Sequence, residues 1–252
     1  MKAGESGGTV LVLGAGSAIA RAIALELAER GYGLQLAGRD MGELERIATD
    51  ARVRHGVPAK ALFFDALATD THEAFLRESR EASSDSLAGA VLCFGALGDQ
   101  EEAQADPSEA KRILDTNFTG AVSILSLLAN HFEERRSGFL CALSSVAGDR
   151  GRQSNYVYGA AKAGLTVFLQ GLRNRLFRSG VRVITIKPGF VDTAMTFGRP
   201  GMFLVASPQA AAKRIVAAIE KGKDQAYVPG FWRFVMLAIR LLPERIFKRM
   251  RL

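Results

Sequence analysis

Short, uninterrupted apolar runs alternate with helix-periodic segments along nearly the whole 252-residue chain. The first run, Thr9 to Leu13, leads into a helical pattern from Ser17 to Arg30, closed by Gly31 and Gly33. Further apolar runs predict strands over 33–37, 61–64, 88–94, 139–143, 181–186 and 226–228. Between them the periodicity predicts helices over 41–54, 71–81, 107–132, 154–178 and 208–221. Gly56 and Pro58 stop the first of these. The strands are continuous in hydrophobicity rather than alternating, the mark of burial on both faces. Regular β–α alternation then predicts an α/β, three-layer, doubly wound fold, a parallel sheet with helices on each side and right-handed crossovers. No repeat or linker interrupts the pattern, so 1–230 reads as one domain and 231–252 as a basic amphipathic tail.

Composition narrows the class. With 48% hydrophobic residues the chain can bury a large core without cross-links. Its two cysteines, Cys93 and Cys141, lie in apolar runs, which excludes a disulfide framework and fits a reducing, cytoplasmic compartment. His55, His72 and His131 are far apart in sequence, so no metal site is expected. Residues 1–8 are polar and glycine-rich without the apolar centre of a secretion signal. No apolar run approaches the roughly 18 residues of a membrane span.

Gly14-Ala15-Gly16-Ser17-Ala18-Ile19-Ala20 falls where the first strand meets the first helix. Glycine allows the tight turn and the close approach of a pyrophosphate, and the helix N-terminus supplies free N–H donors. Taken alone, such a loop is also compatible with a plain glycine-rich turn. After the second strand the chain reads Ala37-Gly38-Arg39-Asp40. An acidic residue at this tip would suit the ribose 2′-hydroxyl of NAD; Arg39 suits a 2′-phosphate. NADP(H) is therefore favoured over NAD(H), unless Arg39 is merely paired with Asp40 or Glu43. Asp65, next to Ala66, is placed either to accept from an adenine amino group or to cap a helix.

Tyr158 and Lys162 are spaced i, i+4, which puts them on one helix face; taken alone, that spacing fits an amphipathic surface contact better than a catalytic pair. An ammonium close to a phenol favours the phenolate, so Lys162 is expected to lower the pKa of Tyr158. Ser145, just past the fifth strand, offers a second hydrogen bond to a carbonyl oxygen.

Ser145-Val146-Ala147-Gly148, Tyr158 thirteen residues after Ser145, and Lys162 together resemble the catalytic segment of the short-chain dehydrogenases/reductases. Asn117, in Asp115-Thr116-Asn117-Phe118-Thr119-Gly120, is similar to the family's helix asparagine, and Lys187-Pro188-Gly189-Phe190-Val191-Asp192-Thr193 to its Pro-Gly segment. The resemblance covers about 9–230. It implies a Rossmann-like sheet of seven parallel strands and an oxidoreductase acting on a CH-OH or ketone group with NAD(P). It implies Tyr158 as acid/base, Lys162 as its activator and ribose contact, Ser145 as carbonyl orienter, and Asn117 as holder of a relay water. Gly14, Gly16, Ser17, Ala18, Ile19, Arg39, Asp65, Ala66, Gly95, Pro188, Gly189, Val191 and Thr193 would join Tyr158 and Lys162 around the cofactor. It also implies a homodimer or homotetramer. The loop over 193–207 is expected to cover the substrate, and its glycines, Gly198 and Gly201, suggest a lid. Two departures stand out: Ala18 and Ala20 replace the family's glycines, and Leu92-Cys93-Phe94-Gly95 replaces its Asn-Asn-Ala-Gly. The latter puts Cys93 beside the expected site, where an inert buried thiol is the favoured reading over a reactive one.

The charge is uneven. Residues 231–252 hold six arginines and lysines against Glu244 alone, which is five of the chain's seven net positive charges. An apolar stretch around Phe231 and Trp232 carries Arg233 and Arg240; beyond Pro243, Arg245, Lys248 and Arg249 lie opposite Ile246, Phe247 and Met250. Such a segment suits peripheral contact with an anionic membrane at its inner face. Packing against the pocket or a second subunit is the alternative. No nucleic-acid partner is expected, because the charge is confined to one apolar tail. The tail and the glycine loop also resemble, more loosely, bacterial reductases of lipid-linked keto-sugars of the decaprenylphosphoryl-2-keto-ribose reductase type. The expected substrate is thus a small or lipid-linked ketone, with 3-oxoacyl chains on acyl carrier protein, or a non-catalytic dinucleotide sensor, as rivals.

Overall fold

The computed structural model describes residues 8–83, 86–193 and 204–250. Seven strands form one sheet: β1 (Thr9–Leu13), β2 (Gly33–Gly38), β3 (Ala59–Phe63), β4 (Leu87–Leu92), β5 (Phe139–Leu143), β6 (Arg182–Pro188) and β7 (Gln225–Val228). Their order is β3-β2-β1-β4-β5-β6-β7, each neighbouring pair parallel. The chain builds outward from β1 through β2 to β3, then crosses back to lay β4 on the other side of β1. This reversal creates a crevice outside the carboxyl ends of β1 and β4, where such sheets bind ligands.

The helices are α1 (Ala18–Glu29), α2 (Met41–His55), α3 (His72–Ala82), α4 (Gln100–Ala105), α5 (Pro107–Leu114), α6 (Gly120–Arg135), α7 (Tyr156–Leu176), α8 (Pro208–Glu220), α9 (Trp232–Leu241) and α10 (Glu244–Phe247). Buried residues of α1, α2 and α8 pack with one face of the sheet, and those of α3, α6 and α7 with the other. β1 shows why its run is unbroken: Val10 and Val12 enter the first core, Leu11 and Leu13 the second. Local chemistry sets the helix ends. Ser17 Oγ accepts from the Ala20 N–H at 3.3 Å, and Asp40 Oδ1 from the Glu43 N–H at 3.0 Å. Gly56 ends α2 at φ 68°.

Three differences between the sequence reading and the structure bear on the site. β4 stops at Leu92 rather than Phe94, because the following loop is drawn aside: Asn117 Nδ2 donates to the Ala96 carbonyl at 2.6 Å, and its Oδ1 accepts from the Ala96 N–H at 3.2 Å. The helix expected over 107–132 contains a π-helical turn at Asp115–Thr119, a wider turn of the kind often found at functional sites. The short α4 was not expected; Asp99 caps it by accepting from the N–H groups of Glu101 and Glu102 at 2.8 and 3.0 Å.

The C-terminal helices are clasped to the sheet edge. Trp232 and Met236 of α9 are buried with Val146, and Phe190 meets the Trp232 ring edge-on at 5.3 Å. Gly189 permits this approach, since a Cβ there would lie 1.9 Å from Trp232 Nε1. Arg150 Nη1 donates to the Ile239 and Leu242 carbonyls at 2.5 and 2.6 Å, capping the C-terminus of α9 with a cation. Its guanidinium also lies 3.8 Å from the centroid of the Phe247 ring. The opposite side of the pair exposes Phe234, Leu237, Leu241 and Ile246 beside Arg233, Arg240, Arg245, Lys248 and Arg249. No helix among the described residues is long and apolar enough to cross a membrane.

Candidate active site

A cleft of about 690 Å³ opens at the carboxyl edge of the sheet. It draws together the loops after six strands. One end is lined by Gly14, Gly16, Ser17, Ala18, Ile19, Arg39, Asp65 and Ala66, the other by Ser145, Tyr158 and Lys162, with Gly95, Pro188, Gly189, Val191 and Thr193 between and around them. Every sequence-predicted site residue but Asn117 reaches this wall. Of the expected lid, residues 194–203 with Gly198 and Gly201 lie outside the described residues.

The glycine loop is shaped by two different demands. Gly14 adopts φ +80°, and a Cβ there would lie 2.6 Å from the Phe94 N, so the fold itself requires glycine. A Cβ at Gly16 would meet no atom within 4 Å, and the residue lines the cleft. Its missing side chain therefore leaves room for a ligand rather than for protein packing. Arg39 is exposed and has no hydrogen bond or ion pair among the described residues. The competing pairings fail because Asp40 caps α2 and Glu43 takes the Arg46 guanidinium at 2.6 Å. Asp65 caps no helix: its Oδ1 accepts from the Leu67 N–H at 3.0 Å. The buried His72, which sequence reasoning passed over, contacts the Asp65 carbonyl through Nε2 at 3.0 Å and Ser123 through Nδ1 at 2.9 Å. An open turn at a helix N-terminus, an unpaired arginine and a braced aspartate suit the pyrophosphate, 2′-phosphate and adenosine of NADP(H).

At the other end α7 presents Tyr158 and Lys162, both buried. Lys162 Nζ donates to the Leu143 carbonyl at 3.1 Å and lies 5.7 Å from the centroid of the Tyr158 ring. Ser144 locks α7 to the end of β5, donating to the Lys162 carbonyl at 2.9 Å and meeting Thr166 Oγ1 at 2.7 Å. The expected depression of the tyrosine does not hold for the protein's own groups. Burial pushes the Tyr158 phenol up to about 12, against which a hydrogen bond with Ser145 acts in the lowering direction. Burial also lowers Lys162 to about 8. Desolvation wins because both groups lie in a low-dielectric wall and the ammonium is turned to a backbone carbonyl. Cys93 is pushed up to about 12 by burial, so its thiol stays protonated, as the inert reading expects.

Asn117 stands behind the wall. Both hydrogens of its amide are engaged, with Nδ2 donating to the Ala96 and Ile113 carbonyls at 2.6 and 2.8 Å. The side chain thus fixes the loop around Gly95 and has no hydrogen left to donate to the expected relay water. A further buried cluster braces the same region: Lys187 forms an ion pair with Asp149, whose Oδ2 accepts from the Tyr227 hydroxyl at 2.7 Å. It ties the turn after Ser145 to the strand that carries Pro188 and Gly189. No spacing in the sequence signals this cluster, because its members come from three separate strand ends.

A short chain dehydrogenase family model matches residues 8–200. The chain is 38% identical over 243 residues to an uncharacterised oxidoreductase of Streptomyces coelicolor, covering 96% of this chain and 95% of that one. It is 36% identical over 241 residues to an uncharacterised oxidoreductase of Mycobacterium tuberculosis H37Rv, covering 96% of each. Among solved structures, a short-chain dehydrogenase from Sphingobium yanoikuyae in complex with NADPH matches with a TM-score of 0.80 at 24% identity, over 92% of this chain and 93% of that one. An actinorhodin polyketide ketoreductase variant with NADPH matches with a TM-score of 0.79 at 22% identity, over 89% and 96%.

Proposed function

The chain belongs to the short-chain dehydrogenases, and from that premise we propose that this oxidoreductase reduces a ketone to a secondary alcohol with NADPH. The observation that carries the reading is a single cleft with a phosphate-ready end, Gly16 and Arg39, and a proton-donating end, Ser145 and Tyr158. Arg39 would hold the 2′-phosphate, and the first turn of α1 with Ser17, Ala18 and Ile19 the pyrophosphate. Asp65 and Ala66 would meet the adenine; Pro188, Gly189, Val191 and Thr193 would line the nicotinamide side. When bound, NADPH supplies a hydride to the carbonyl carbon.

The protein supplies the rest. Ser145 donates a hydrogen bond to the carbonyl oxygen and orients it. Tyr158 gives its proton to that oxygen as charge develops there. Its raised pKa keeps the phenol protonated at neutral pH, the form that a reductase needs and a dehydrogenase in the oxidising direction does not. Lys162 holds a positive charge behind the phenol, stabilising the phenolate left by proton transfer, and would also contact the ribose. Asn117 positions the loop around Gly95. Consumption of NADPH with a panel of ketones tests the reading. Turnover supports it; dinucleotide binding with no turnover on any ketone would favour a non-catalytic sensor.

The substrate we propose is amphiphilic, a lipid-linked or membrane-associated ketone such as a keto-sugar. The support is α9, whose Trp232 packs on the cleft-lining Phe190 and which turns apolar and cationic side chains outward. That face would rest on the anionic inner surface of the cytoplasmic membrane. Co-sedimentation with vesicles containing phosphatidylglycerol checks this. Binding that is lost when Phe234 and Leu237 are both changed to Asp supports it; absence of binding by the intact chain favours an acyl-carrier-protein substrate. A homodimer or homotetramer is expected, and light scattering after gel filtration measures it.

A further inference from the structure

Two polar atoms at the reactive end of the cleft are buried without a hydrogen-bond partner, Arg152 Nε and Asn155 Oδ1. Both residues line the cleft with Ser145 and Tyr158. Arg152 makes one weak side-chain hydrogen bond among the described residues, Nη2 to the Met236 sulfur at 3.5 Å. Burial pushes its guanidinium below the ordinary value, and Asp149 is the acid that acts against this. Asp149, however, has its oxygens taken by Lys187 and Tyr227. The other cations here are also committed. Arg112 is held by Glu109 through two contacts of 2.6 Å, and Lys162 donates to the Leu143 carbonyl.

A half-buried guanidinium stays charged, and its planar fork matches carboxylate and phosphate oxygens. Without a counter-ion it bears a desolvation cost that a protein gains nothing by retaining unless a ligand supplies the charge. Asn155 stands at the start of α7, and rotation of its amide presents either an acceptor or a donor. We propose that Arg152, with Asn155 beside it, binds an oxyanion carried by the substrate, a carboxylate or a phosphate ester. This specifies the substrate of the ketoreductase reading and rests on it. Met236 places the anion site against α9, so an anionic group at Arg152 adjoins the helix whose outer face is apolar.

The experiment compares charged and neutral forms of the same ketone: acetoacetate against methyl acetoacetate, and dihydroxyacetone phosphate against dihydroxyacetone. Binding to the NADP⁺-saturated protein is measured by calorimetry, and kcat/KM with NADPH in parallel. The charged member of one pair should bind about ten- to a hundredfold more tightly, the scale of a charge-assisted hydrogen bond. Selectivity in the first pair alone identifies a carboxylate, in the second alone a phosphate. Arg152→Gln should abolish the preference by weakening the charged ligand far more than the neutral one, and Arg152→Lys should retain part of it. Equal affinity for charged and neutral forms in the wild-type protein would overturn the proposal, as would equal losses for both forms in the Arg152→Lys protein. Anion-selective binding with no turnover would uphold the site and sink the ketoreductase reading alone.

Discussion

Tyr158 and Lys162 show how far a residue pattern reaches and where environment takes over. Their pairing on one face of α7 was legible from the i, i+4 spacing, and Ser145 from its place after β5. The direction of the tyrosine shift was not, because it depends on how dry the wall is and on which oxygen Lys162 Nζ faces. Changing Tyr158 to Phe removes the proton while preserving the ring, and NADPH-dependent turnover should fall by about 10²- to 10⁴-fold. The pH profile follows from the signs. Tyr158, pushed up to about 12, keeps its proton throughout the neutral range. Lys162, lowered to about 8, loses its proton as pH rises through that value, and with it the charge that stabilises the developing phenolate. The kcat/KM for reduction should therefore be level below about 8 and fall above it. A Lys162→Arg variant should carry that falling limb to higher pH, which steady-state kinetics would read directly. At the cofactor end, Arg39→Ala should raise the KM for NADPH by about tenfold or more and leave that for NADH nearly unchanged. Arg39 could be singled out from the strand tip that carries it. Arg152 could not, since its lack of a partner is visible only once the carboxylates around it are placed.

At the level of elements, hydrophobic continuity located all seven strands, each end within two residues. The remaining differences have causes outside the pattern. The end of β4 is set by Asn117, 25 residues beyond Leu92 in the chain. The C-terminal helices were read as an amphipathic tail, but which side chains face inward depends on Val146, Phe190 and Tyr227. Gly189 and Trp232 make that packing testable. A Gly189→Ala methyl would occupy the space of the indole, so α9 must shift, at a cost of about 1–3 kcal/mol. Trp232→Ala should cost about 3–5 kcal/mol through the cavity it leaves. Thermal unfolding should rank Trp232→Ala below Gly189→Ala, with both below the wild type. The buried pair of Lys187 and Asp149 belongs to this scale too, since it joins β6 to the turn after Ser145. Lys187→Met should destabilise by about 3–5 kcal/mol by leaving the Asp149 carboxylate uncompensated.

Over the whole molecule, the switch in strand order at β1 and β4 gathers residues spread from Gly14 to Thr193 into one cleft. The same sheet ends on β7, which delivers α9 to the cleft's border and concentrates positive charge on that side. A dinucleotide end, a proton-donating end and an amphipathic border are thus consequences of a single topology. The central claim is that hydride arrives at a ketone carbon while Tyr158 protonates its oxygen. Mass spectrometry of the alcohol formed with NADPH deuterated at nicotinamide C4 tests this most directly. One deuterium on the carbinol carbon, formed by the wild-type protein and nearly absent with Tyr158→Phe, is the predicted result. Hydrogen drawn from solvent at that carbon, or equal labelling by the Tyr158→Phe protein, would contradict it.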